Sequence, residues 1–237
     1  MARKRIALVL FGGVGERFGG DEPKQFSYLG DQPMMAETLQ NLAKIPSIED
    51  IYVVSSPAWM KRTEEVIRLK RLSKIRAIIP GGKTRAESVG LGLSYLTKLS
   101  LEAEDLLLIQ DGDRPYIDPE IVEENFKAAE KVGAAVTAVV SSDSVIFSPS
   151  GLTVGGYRPR KQIYLAQTPQ TFRFGVIVAA HNLAKKKHVL GDYTDDGALV
   201  SEVLKKPVAI VPGDKRNIKI TEKGDEELYL AIKGMKK

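Results

Sequence analysis

The chain has no cysteine, one tryptophan and two histidines in 237 residues. Without cysteine there is neither a disulfide framework nor a thiolate metal site, which suits a reducing compartment. Two histidines, His181 and His188, are too few for a zinc cluster built on imidazoles. No apolar run approaches the roughly 18 residues of a membrane helix. The basic Arg3-Lys4-Arg5 precedes a short apolar core that runs into glycines, so it only faintly mimics a secretory leader. One-sided charge is missing too: 35 basic residues stand against 30 acidic ones, for a net charge of +5. The basic clusters, such as Lys185, Lys186 and Lys187, have no interleaved aromatics, which argues against a nucleic-acid partner. A cytoplasmic protein with no membrane or nucleic-acid partner is expected, and its mild positive bias suits phosphorylated small molecules.

What is present is glycine in one telling place. Residues 6–10 form a run of Ile, Ala, Leu and Val that reads as a strand buried on both faces. It feeds Phe11-Gly12-Gly13-Val14-Gly15-Glu16-Arg17, and Pro23-Lys24-Gln25 follows. Gly12, Gly13 and Gly15 lack a Cβ, so their N–H groups can approach a polyphosphate, and Arg17 and Lys24 add two cations. A Walker A loop requires Gly-Lys-Ser/Thr where this chain has Gly15-Glu16-Arg17, so that reading fails. A dinucleotide fingerprint is closer, through Gly13, Gly15 and Gly19. However, Gly20 and Pro23 delay the helix it needs, and the next strand ends in Ser-Ser-Pro without an acidic residue. A nucleotidyltransferase loop and a plain glycine turn both remain open.

The remaining chain alternates strands and helices. Strands are expected at residues 51–55, 75–79, 106–109, 134–140 and 208–211. Helices are expected at 34–45, 57–70, 84–98, 119–132, a stretch after Phe172 ending at Lys187, 198–204 and 222–232, the last capped by Thr221. Such alternation implies a mostly parallel sheet with helices on both faces. Several strand ends carry polar residues. Pro80-Gly81-Gly82 precedes a helix start holding Arg85 and Ser88, an end that favours anions. Gln110-Asp111-Gly112-Asp113-Arg114 places two carboxylates and an arginine where open α/β sheets keep their chemistry. Asp111 and Asp113 would suit Mg²⁺, a hard cation that takes oxygen ligands, or Asp111 would simply pair with Arg114. Residues 141–167 lose helical period and alternate as hairpins do, too long for an idle loop, so they read as an arm pairing with a second copy or as a lid. The whole chain reads as one domain with that excursion.

Taken in order, these stretches resemble one family, the 2-C-methyl-D-erythritol 4-phosphate cytidylyltransferases. Its A-A-G-x-G-x-R-M and P-K-Q appear as residues 11–18 and 23–25, and its G-G-x-x-R-x-x-S-V as residues 81–89. Its T-P-Q-x-F, T-D-D/E and N-I-K-[IV]-T appear as residues 168–172, 194–196 and 217–221. The resemblance implies a Rossmann-like α/β nucleotidyltransferase domain whose β-arm makes a homodimer. The implied reaction joins CTP and a polyol phosphate, methylerythritol phosphate, with Mg²⁺ as cofactor and pyrophosphate released. By resemblance, Arg17 and Lys24 stabilise the transition state, and Arg160, from across the dimer, and Lys219 position the second substrate. Asp111, Arg114, Ser144 and Thr194 fall where that substrate is contacted, and Gly82 and Ser88 where cytosine is read.

Two departures stand out. Phe11-Gly12 replaces two alanines, and the family's D-A-A-R-P is here Asp111-Gly112-Asp113-Arg114-Pro115. The added carboxylate keeps ribitol 5-phosphate open as an alternative substrate, beside a nucleotide-binding regulator without catalysis.

Overall fold

The computed structural model describes residues 3–12 and 23–235. In chain order its elements are β1 (Arg5–Phe11), β2 (Tyr28–Leu29), β3 (Gln32–Pro33), α1 (Met34–Ala43), β4 (Asp50–Ser55) and α2 (Met60–Leu69). There follow β5 (Ile75–Pro80), α3 (Arg85–Leu96), β6 (Leu106–Asp111), α4 (Pro119–Val132) and β7 (Ala134–Val140). The arm contributes β8 (Val145–Phe147) and β9 (Gly156–Arg158), and the chain ends with β10 (Tyr164–Arg173), α5 (Phe174–Lys186), α6 (Asp196–Leu204), β11 (Ala209–Pro212) and α7 (Lys223–Gly234).

Seven strands form the central sheet in the order β11-β7-β10-β6-β1-β4-β5. β1 pairs in parallel with β4 and β6, β4 with β5, and β11 with β7, while β10 alone runs antiparallel to both its neighbours. The period-2 geometry of β1 explains the layering. Ile6, Leu8 and Leu10 enter the core under Val89 and Leu93 of α3, Ile177 of α5 and Leu199 of α6. Ala7, Val9 and Phe11 enter the opposite core with Leu39 of α1, Val66 of α2 and Phe126 of α4. Each such fully buried aliphatic or aromatic side chain contributes about 1.5–3 kcal/mol of burial. A doubly covered, mostly parallel sheet is the result.

Helix starts follow their capping chemistry. Asp118 accepts from the Glu120 N–H at 2.9 Å ahead of Pro119, and Gly133 ends α4 in the left-handed region. Thr84 caps α3 by accepting from Glu87 N at 3.1 Å. At α7 the cap is Glu222, one residue beyond Thr221, because Asp225 reaches back to the Glu222 N–H in a capping box.

The helix expected after Phe172 forms as α5, and a strand not expected from the sequence precedes it: Thr168-Pro169-Gln170-Thr171-Phe172 lies within β10, in the interior of the sheet. The arm's own hairpin, β8 with β9, is correspondingly short. Among the described residues no helix is long and apolar enough to cross a membrane.

Candidate active site

The carboxyl ends of β1, β5 and β6, which run parallel or share a parallel neighbour, open on one edge of the sheet. Gly12, just past β1, faces Ser88 of α3, and a Cβ there would stand 3.0 Å from Ser88 Oγ. The Gly82 N–H donates to the same hydroxyl at 3.1 Å, so the ends of β1 and β5 converge on the first turn of α3. Gly12, Arg85, Ser88, Asp111, Asp113 and Lys219 line a cleft of about 170 Å³ between them.

Asp111, the last residue of β6, is the electrostatic centre. Its Oδ1 accepts from Arg85 Nε at 3.0 Å and its Oδ2 from Lys219 Nζ at 2.9 Å. Burial by itself would raise this carboxyl, but Arg85 and then Lys219 hold it well below the ordinary carboxylate range. Arg85 turns its other face to Asp196, the first residue of α6, with NH1 donating to Oδ2 at 2.6 Å. Burial opposes the Arg85 charge, yet Asp196 and Asp111 raise its pKa. Asp196 is buried and would be raised by that burial, but Arg85 and His181 bring it down. His181 Nε2 stands 3.2 Å from Asp196 Oδ1. A continuous polar chain therefore runs from His181 of α5 through Asp196, Arg85 and Asp111 to Lys219.

The pairing of Asp111 with Arg114 does not form. Arg114 NH1 instead donates to the Asn217 carbonyl at 2.7 Å, and Asn217 Nδ2 donates to the Thr168 carbonyl at 2.7 Å. Burial lowers the Arg114 pKa despite the nearby Asp111 and Asp113. Arg85, Asp111, Arg114, Gln167, Thr168, Gln170, Thr194 and Lys219 surround a second cleft of about 290 Å³, contiguous with the first through Arg85, Asp111 and Lys219. Arg114 Nε and Gln167 Oε1, of residues lining this cleft, Asn217 Oδ1 nearby and Asp113 Oδ1 beside the first cleft are buried without a hydrogen-bond partner.

Lys24 sits in a short 3-10 turn, Lys24–Phe26. Its Nζ donates to Asp113 Oδ2 at 2.6 Å and to the Ile220 carbonyl at 2.8 Å. Lys24, Lys219, Asp111, Asp113, Arg85, Arg114, Gly12, Gly82, Ser88 and Thr194 thus share one edge of the sheet. Ser144 and Arg160 do not join them: both are exposed on the arm, Arg160 in the turn Arg160–Gln162. Gly13, Gly15 and Arg17 lie outside the described residues. His181 and Asn217 escaped the sequence reading. A histidine on an amphipathic helix carries no local mark of its partner, whereas Asn217 stood within the N-I-K-I-T stretch beside Lys219.

A glycine-ended strand, two clefts joined by Asp111 and cations from four chain segments define a nucleotidyltransferase. The family model for IspD, 2-C-methyl-D-erythritol 4-phosphate cytidylyltransferase, matches residues 6–233. A relative of that name from Geotalea uraniireducens is 40% identical over 95% of this chain and 94% of its own. Another from Geobacillus kaustophilus is 38% identical over 92% of each. The crystal structure of the enzyme of that name from Thermus thermophilus superposes with a TM-score of 0.75 at 28% identity, covering 98% of this chain and 100% of that one. The chain belongs to the 2-C-methyl-D-erythritol 4-phosphate cytidylyltransferase family. This membership places it among the transferases of isoprenoid biosynthesis and does not favour the ribitol phosphate alternative.

Proposed function

We propose that the chain transfers the cytidylyl group of CTP to 2-C-methyl-D-erythritol 4-phosphate, as a Mg²⁺-dependent homodimer in the cytoplasm. The observation that carries this reading is the placement of Lys24 and Lys219 on neighbouring carboxylates, Asp113 and Asp111, both of which line the first cleft. The 170 Å³ cleft, next to Gly12, Ser88 and the start of α3, takes the nucleotide end. The 290 Å³ cleft, lined by the polar Arg114, Gln167, Gln170 and Thr194, takes the polyol.

A phosphate oxygen of methylerythritol phosphate attacks the α-phosphorus of CTP. The bond to the bridging oxygen breaks, and pyrophosphate departs with that electron pair. The attacking phosphate is already anionic, so the step needs alignment and charge neutralisation more than a general base. Lys24 and Arg17 answer the negative charge that grows on the α-phosphate and leaving group. Lys219 holds the attacking phosphate, and Arg160 reaches it from the second copy's arm. Exposed Ile146, Phe147, Leu152 and Tyr157 on the arm supply an apolar face for that copy.

Asp111 is the residue that would hold Mg²⁺, in exchange for Arg85 or Lys219, which occupy its two oxygens here. No group of three or more His, Cys, Asp or Glu side chains able to hold a metal occurs among the described residues. Mg²⁺ binds through one or two carboxylates and completes its shell with substrate phosphates and water. When bound with the triphosphate, the ion would draw charge from the phosphate oxygens.

A coupled assay of pyrophosphate release tests the reading, with CTP and either methylerythritol phosphate or ribitol 5-phosphate, with and without Mg²⁺. Turnover is expected with methylerythritol phosphate and Mg²⁺. Turnover with ribitol phosphate alone would overturn the substrate, and CTP binding without turnover of either would make the chain a nucleotide-binding regulator.

A further inference from the structure

Asp113 stands at the second position after Asp111, where the motif of the resemblance quoted above has alanine. The carboxylate does not face solvent: its side chain is 16% exposed and that of Lys24 is 14% exposed. Lys24 Nζ gives one proton to Asp113 Oδ2 at 2.6 Å and one to the Ile220 carbonyl at 2.8 Å. These two acceptors are themselves tied together, because the Ile220 N–H donates to the Asp113 carbonyl at 2.9 Å.

The turn carrying Asp113 is pinned on its other side as well. The Gly112 N–H donates to the Leu10 carbonyl at 2.9 Å, and Thr38 Oγ1 donates to the Gly112 carbonyl at 2.8 Å. Lys219 Nζ, already on Asp111, lies 3.8 Å from Asp113 Oδ1. One carboxylate therefore stands between the two lysines and lines the cleft assigned to the nucleotide.

We infer that Asp113 is a positioning residue for the reaction: its carboxylate accepts one N–H of the Lys24 ammonium while the Ile220 carbonyl accepts a second, and together they hold the third toward the triphosphate. The inference rests on the reading of Lys24 given above. A lysine has four rotatable side-chain bonds, and holding its head before the substrate arrives removes the search that would otherwise accompany each turnover. With alanine at this position Lys24 keeps its charge and the Ile220 carbonyl but loses the charged half of its anchor, so the effect belongs in turnover more than in nucleotide affinity.

The test is a double-mutant cycle on the full-length enzyme, read as kcat and as KM for CTP, with the unfolding midpoint measured for every variant. Asp113→Ala should lower kcat about tenfold or more while KM for CTP stays within about threefold. Asp113→Asn keeps an oxygen that accepts from Lys24, so it should recover most of kcat. In a Lys24→Ala background Asp113→Ala should cost less than about twofold, because nothing is left to anchor. A purely structural Asp113 would instead lower the unfolding midpoint, cost the same in both backgrounds and not be rescued by Asn; that pattern overturns the inference. Faster turnover or tighter CTP binding by Asp113→Ala would overturn it too, since the pair would then be sequestering Lys24. Full activity of Lys24→Ala is a separate outcome, which sinks the reading of Lys24 itself.

Discussion

Gly112 offers a test in which the two departures from the family pattern are one event. Phe11 is buried at 3% exposure in the core beneath α1 and α4. An ideal Cβ on Gly112 would stand 2.2 Å from Phe11 Cε1, 2.3 Å from Cδ1 and 2.8 Å from the Leu10 carbonyl oxygen. The φ of Gly112 is not in the left-handed region, so space and not backbone freedom forbids a side chain.

Gly112→Ala should therefore behave as an overpacking mutation and cost about 3 kcal/mol, the upper part of the usual range. For a chain of this length that is a fall of roughly 6–12 °C in the unfolding midpoint. Phe11→Ala alone should cost about 3–5 kcal/mol through the cavity it leaves. In that background the two closest contacts, both with the ring, are gone and the one with the Leu10 carbonyl remains. The cost of Gly112→Ala should drop to about 1 kcal/mol, a coupling of about 2 kcal/mol. Urea unfolding of the four proteins measures this directly. If Gly112→Ala costs the same in both backgrounds, the ring is not what excludes the side chain, and the two departures are independent.

Two other outcomes can be checked by simpler means. Asp111 and Asp196 are held below their ordinary value of 3.8, the first mainly by Arg85 and Lys219 and the second by Arg85 and His181, against burial. A depressed folded-state pKa contributes stability fully above the unfolded value and loses it as pH falls through the folded one, so the unfolding midpoint should drop below about pH 4. Arg85→Ala should cost about 3 kcal/mol at neutral pH and flatten that acid limb, and an unchanged limb would refute the assignment. On the arm, Phe147 is exposed and apolar. Phe147→Asp should convert the dimer to monomer in sedimentation and abolish turnover with Arg160 unaltered, whereas a wild-type monomer with full activity would refute the cross-dimer role.

Much of the framework was legible because its cues are local. The strand in residues 6–10 stands out as an apolar run ending in glycine, and α4 as a stretch between Asp118-Pro119 and Gly133, where capping chemistry leaves little choice. β10 was not legible. Pro169 normally demotes a central strand, since it cannot donate to the ladder. Here it falls between Gln167 and Gln170, where the pairing register with β7 shifts, so the strand tolerates it. His181 was equally opaque: its helix is amphipathic, and the Asp196 that gives it a role lies beyond the end of that helix.

By itself the sequence determined the alternation of strands and helices, the glycine-ended β1, and which cations and carboxylates stand at strand tips, because short-range sterics, capping and hydrophobic period suffice for these. Tertiary structure alone decided their partners. Lys24 and Asp113 are 89 residues apart, and Arg85 and Asp196 are 111 apart. Contacts at such separations depend on strand order and on which helix covers which face, and no local pattern encodes them.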